Sequence, residues 1–130
     1  MSVPDIAEIA RLLEQLERCI ADELESEFLD FKPWQSPKYD LRLACEYAVC
    51  FANAGGGVAV FGVADKVRGR AQAILGARGY DLDVFRRGIF DGTRPGVAAE
   101  VFEIDVPEGT GKLLVVRVPE GDSKIGRAHV

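Results

Sequence analysis

The run Phe51-Ala52-Asn53-Ala54-Gly55-Gly56-Gly57-Val58-Ala59-Val60-Phe61-Gly62-Val63-Ala64-Asp65 constrains this chain more than any other. Three consecutive glycines separate a segment of helical periodicity from a wholly apolar one. A phosphate-cradling glycine loop follows a strand and opens a helix, so that the free N–H groups of the first turn face the anion. Here the order is helix, glycines, strand. No Gly-Lys-Ser/Thr follows, so the lysine and the magnesium-binding hydroxyl of a P-loop are missing. Gly55, Gly56 and Gly57 therefore read as a helix cap and a tight entry into a strand, with Gly62 as a turn position at its far end; glycine tolerates positive φ there at little cost.

The flanking segments follow from this reading. Ser36-Pro37 supplies an N-cap and a first-turn proline for a helix over 37–54, with Leu41, Ala44, Ala48 and Phe51 as its buried stripe. Val58 to Val63 is apolar on both faces, which marks a central strand. Upstream, Ile6, Ile9, Leu13, Leu16 and Ile20 predict one amphipathic helix from Pro4 to about Leu24, and Phe28–Lys32 alternates as a short strand. Downstream, Ala71–Leu75 reads as a further strand, and Asp81 caps a helix running to about Phe90. Ala99–Val106 and Lys112–Pro119 form a hairpin around Pro107-Glu108-Gly109-Thr110-Gly111. Together these elements predict an α+β fold: a mixed, largely antiparallel sheet of four to five strands with helices packed against it.

A chain of 130 residues suits one domain, and no apolar run approaches the roughly 18 residues that span a bilayer. The N-terminus also lacks the basic region of a signal peptide, so a cytoplasmic, membrane-free protein is expected. Cys19, Cys45 and Cys50 have neither the number nor the spacing of a disulfide framework, and His129 is the only histidine. That excludes Ser-His-Asp chemistry and most zinc sites. The net charge of −5 argues against nucleic acid until its distribution is seen. Residues 1–30 hold nine acids against Arg11 and Arg18, and residues 31–130 hold 12 acids against 14 bases. The acidity belongs to the N-terminal helix, residues 1–24, and its immediate sequel.

At this point the blocks resemble a known family. The glycine run is similar to the "AFANTxGGxxxxGVxD" core of the Schlafen/AlbA-type DNA-binding domain, found in the divergent AAA group of bacterial and archaeal proteins. Glu25-Ser26-Glu27-Phe28-Leu29-Asp30-Phe31-Lys32 resembles its "ESxxLEFK" element, with Asp30 where glutamate is usual. Leu113–Pro119 resembles its closing strand, and Gly126-Arg127-Ala128-His129-Val130 the start of its "GxxYxRxG" ending. The resemblance covers residues 25–130 and implies the N-terminal part of a longer protein, such as a transcriptional regulator. It implies no ATPase, since no Walker A motif is present.

Three functions are then open. The first is a nucleic-acid-binding module for DNA or RNA that needs no cofactor. Lys32, Lys66, Arg68, Arg70, Arg86, Arg87 and Arg94 are its candidate phosphate contacts, although for any one of them alone ordinary solvated surface is the stronger reading. No aromatic series interleaves these charges along the chain, so duplex or structured nucleic acid is expected over a single strand. The second, implied by the resemblance, is a metal-dependent ribonuclease in which Glu25, Asp30 and Asp65 hold Mg²⁺ or Mn²⁺ as hard-oxygen ligands. The plain alternative is acids satisfied by local amides or by Lys32. The third is an interaction domain whose acidic helix docks on a partner, with a homo-oligomer expected.

Overall fold

The structure, a computed structural model, describes residues 3–121; the Gly126–Val130 motif lies outside them. The first helix, α1 (Ile6–Glu14), opens on a capping box: Glu8 N–H donates to the Asp5 carboxylate at 2.9 Å, and Asp5 N–H donates to the Glu8 carboxylate at 3.4 Å. The single helix expected to reach Leu24 breaks here. A 3-10 turn covers Gln15–Glu17, and a short α2 (Ala21–Leu24) follows an extended Ile20. The break has a tertiary cause. In an unbroken helix the Leu16 carbonyl would accept from the Ile20 amide; instead it accepts from Gly69 N–H at 2.6 Å, and Ile20 N–H turns to the Glu23 carboxylate at 3.1 Å.

Strand β1 (Leu29–Lys32) buries Leu29 and Phe31 on one face and leaves Asp30 and Lys32 half-buried on the other. Helix α3 (Pro37–Ala54) starts where Ser36 Oγ accepts from Tyr39 N–H at 3.2 Å and stops at Gly55, whose φ of +94° continues no right-handed helix. Two residues on, Gly57 lies so close to the Phe51 ring that a Cβ would overlap it. The chain then enters β2 (Gly57–Phe61), buried along its whole length.

The strand expected at Ala71–Leu75 is instead one helical turn, α4 (Arg70–Ala73), started by Gly69 at φ +98°. Its bonds run from Ala73 N–H to the Gly69 carbonyl and from Ile74 N–H to the Arg70 carbonyl, both at 2.9 Å. All that pairs in strand fashion is one bridge between Val63 and Ile74. Helix α5 (Leu82–Asp91) is capped by Asp81, and β3 (Glu100–Asp105) and β4 (Lys112–Val118) form the expected hairpin.

The four strands make one sheet in the order β1-β2-β4-β3. The β1–β2 pair is parallel, with Leu29 against Val58 and Lys32 against Phe61, and is bridged by α3; the other two pairs are antiparallel. This is the α+β architecture with a mixed sheet. Both faces are covered. On one, Ile9, Leu13, Leu16 and Ala21 pack against Phe31, Val58, Val60 and Leu113; on the other, Ala44, Ala48 and Ile89 pack against Phe61, Leu114 and Val116. Among the described residues no helix is long and apolar enough to cross a membrane.

Candidate functional site

Strand β1 lies at the edge of the sheet, with β2 on one side only. An exposed edge carries unpaired amides, and here a side chain occupies one of them: the Glu25 carboxylate accepts from Phe31 N–H at 2.8 Å. On the α3 side of the same strand, the Tyr47 hydroxyl donates to the Asp30 carboxylate. Burial, then a hydrogen bond shared with Asp30, raises the Glu25 carboxyl to about 7. Tyr47 is likewise driven up, by burial and then by its bond to Asp30, with the charges of Glu25 and Asp65 adding to the effect. Asp65 stands exposed just beyond β2.

Lys66 completes the group. Its ammonium pairs with Asp22 at 2.8 Å, and that bond raises the lysine and lowers the aspartate, with Asp65 and Glu25 reinforcing the shift of the lysine. Glu25, Asp30 and Asp65 are thus electrostatic neighbours around one end of β1. They do not form a three-ligand set: among the described residues no group of three acids, cysteines or histidines could hold a metal ion. Glu25 and Asp30 are bound instead to an amide and a phenol. The donor set does not fit Mg²⁺ or Mn²⁺ in this arrangement.

The basic residues separate into two groups. Lys32, Lys66 and Arg68 lie on β1 and the loop after β2, whereas Arg86, Arg87 and Arg94 lie on or just after α5, the helix that packs beside β3 at the opposite edge. Arg70 is drawn away from the surface. Its side chain is 14% exposed and its guanidinium bonds Glu108 twice, at 2.7 and 3.1 Å, with Glu14 at 3.4 Å. Arg86 spans Asp83 and the Val101 carbonyl, and Arg94 closes the end of α5 by donating to the Asp91 and Thr93 carbonyls. In each case a nearby acid or an unpaired carbonyl claims the cation. The side chains of Lys32, Arg68 and Arg87 make no hydrogen bond or ion pair among the described residues.

Two members of the site were not singled out in the sequence. Tyr47 sits one position before Ala48 of the buried stripe and stacks on Phe51, four residues on, with ring centroids 5.6 Å apart. That i,i+4 aromatic spacing is the signal by which it could have been found. Asp22 carried none, being one acid among many.

With this geometry in place, comparison with known proteins identifies the fold family. A family model described as Schlafen, AlbA_2 matches residues 25–129. The chain belongs to the Schlafen, AlbA_2 family. Comparison with curated proteins gives no match. Among solved structures, this Schlafen, AlbA_2 chain is similar to the N-terminal domain of a RecG-related protein from Nitrosomonas europaea, named for the ATP-dependent DNA helicase and solved by NMR. The TM-score is 0.57 at 21% identity, over 92% of this chain and 77% of that one, a likeness of fold. The Schlafen, AlbA_2 match begins at Glu25, the first carboxylate of the β1 group, so α1 and α2 precede the matched region.

Proposed function

We propose that this domain binds nucleic acid through phosphate contacts at the β1 edge. The observation that carries the reading is the family match across residues 25–129. The printed name of the Nitrosomonas europaea protein, which refers to a DNA helicase, supports the same class of ligand. Among the described residues the Lys32 and Arg68 side chains are cations with no partner, and Lys66 is 77% exposed even in its ion pair. Phosphate neutralisation by such residues releases counterions, so affinity falls steeply with salt and says little about sequence.

The test is fluorescence anisotropy of labelled single- and double-stranded DNA and RNA over a salt series, with the same samples run on denaturing gels in Mn²⁺ and in EDTA. Arg68→Ala is expected to lower the slope of log affinity against log salt by about 0.7 to 0.9, one phosphate contact. Arg70→Ala should leave the slope unchanged and reduce stability instead, because it strands the Glu108 carboxylate. An unaltered slope in Arg68→Ala removes that loop from the interface. Metal-dependent cleavage lost in Asp65→Ala would replace binding with nuclease chemistry.

A further inference from the structure

Beyond the β1 edge, where the parallel strands β1 and β2 end, the surface holds an open cavity of about 790 Å³. Open α/β sheets bind ligands outside the carboxyl ends of their parallel strands. One wall is the chain leading into α3, including Trp34, Gln35 and Ser36; the other is the loop before α5, including Arg78 and Gly79, with Thr110 of the hairpin turn closing one end. Both walls are pinned. Buried Asp40 accepts from Gln35 N–H at 2.7 Å and Ser36 N–H at 2.9 Å, and the Thr110 hydroxyl donates to the Ala77 carbonyl at 2.9 Å. The Trp34 ring is set by Tyr80, Phe85 and Phe61, with centroids at 5.6, 6.2 and 6.3 Å.

The lining has a definite chemistry. Although the chain has 21 acids, none among the described residues lines this cavity. Arg78 is exposed and makes no hydrogen bond or ion pair among the described residues. A fixed indole that still borders open space, an uncommitted guanidinium and two small polar side chains suit a planar group joined to an anion. We propose that the cavity takes one unpaired nucleotide of a single strand, its base against Trp34 and its phosphate on Arg78. A duplex keeps its bases stacked inside and offers no free face to an indole, whereas aromatic stacking with a charged partner is how single strands are held. The proposal rests on the nucleic-acid reading above, and it selects the single strand where the order of residues along the chain pointed to a duplex.

Trp34 is the only tryptophan, so its emission reports on this cavity alone. An unlabelled single-stranded oligothymidylate should quench it with the midpoint that anisotropy gives for the same strand carrying a fluorescein. Arg78→Ala and Trp34→Phe should each raise the anisotropy midpoint about fivefold or more, with far-UV circular dichroism unchanged. If the strand binds by anisotropy while Trp34 emission and the Arg78→Ala midpoint stay constant, the cavity is not the site and the binding reading survives. Equal quenching by a duplex would overturn the requirement for an unpaired base. Absence of anisotropy change with any nucleic acid would overturn the binding reading itself, and this inference with it.

Discussion

At the scale of single residues, Glu25 shows how a carboxylate can serve a sheet edge. It takes the position a neighbouring strand's carbonyl would hold on Phe31, and it does so beside a second acid. Its carboxyl is raised to about 7 from an ordinary 4.5, so the folded protein holds a proton in that window that the unfolded chain has released. Stability contributed by this group is therefore fully present below pH 4.5 and falls as pH rises towards 7. Glu25→Gln keeps an acceptor for Phe31 and a donor for Asp30 without the ionisation. We expect it to unfold at a urea midpoint equal to the parent at pH 4.5 and to gain about 1 kcal/mol at pH 8, a figure reduced for solvent screening at a site this open. An equal midpoint at pH 8 would mean that Glu25 is already ionised at no cost in the folded state.

Among elements, the join between α3 and β2 separates two uses of glycine. Gly55 has open space around its missing Cβ and needs only the left-handed backbone; Gly57 has ordinary backbone geometry and needs only room beside Phe51. Gly55→Ala is accordingly expected to cost about 1–2 kcal/mol, the price of the left-handed conformation. Gly57→Ala should cost about 3 kcal/mol, at the upper end for overpacking, and Phe51→Leu should recover part of it; chemical denaturation of the three variants checks both. This join was legible in the sequence because its signals are local: Ser36-Pro37, the stripe to Phe51, the glycines and the apolar strand all act within one segment. The breaks at Gln15–Ile20 and at Arg70–Ala73 were not, and for one reason. Each is caused by the other, through Leu16 to Gly69 and Glu17 to Arg70, bonds between residues some 53 positions apart. The site was legible to the same extent. Glu25, Asp30, Asp65 and Lys66 do gather at one end of β1, but that Tyr47 claims Asp30 and Glu108 claims Arg70 depends on side chains brought in from other elements.

For the molecule as a whole, the region that matches the family and the region that folds do not coincide. The match starts at Glu25, yet Ile9 and Leu16 are fully buried and Leu13 nearly so, all against the sheet. Each such side chain is worth about 1.5–3 kcal/mol, so three together rival the roughly 5–15 kcal/mol that separates a folded domain from its unfolded chain. A chain lacking residues 1–24 should show no cooperative thermal transition and should bind a hydrophobic dye, whereas an independent unit from Glu25 onward would melt as the full chain does. Three acids of the N-terminal segment are used at this junction: Glu14 pairs with the Arg70 guanidinium, Glu17 accepts from Arg70 N–H, and Asp22 pairs with Lys66.

Val3 N–H donates to the Glu120 carboxylate at 2.6 Å, and the Arg117 guanidinium donates to the carbonyls of Val3 and Pro4 at 3.1 and 2.9 Å. Residues 3 and 120 are therefore side by side. Because residues 3 and 120 meet at one spot, the part of the fold between them can be let into a surface loop of a host protein as a cassette, since the two junctions are already as close as the ends of the loop they replace and little closure entropy is added. The same proximity would let a short linker join residues 3 and 120, so that the fold between them could be reopened elsewhere with its sheet order intact.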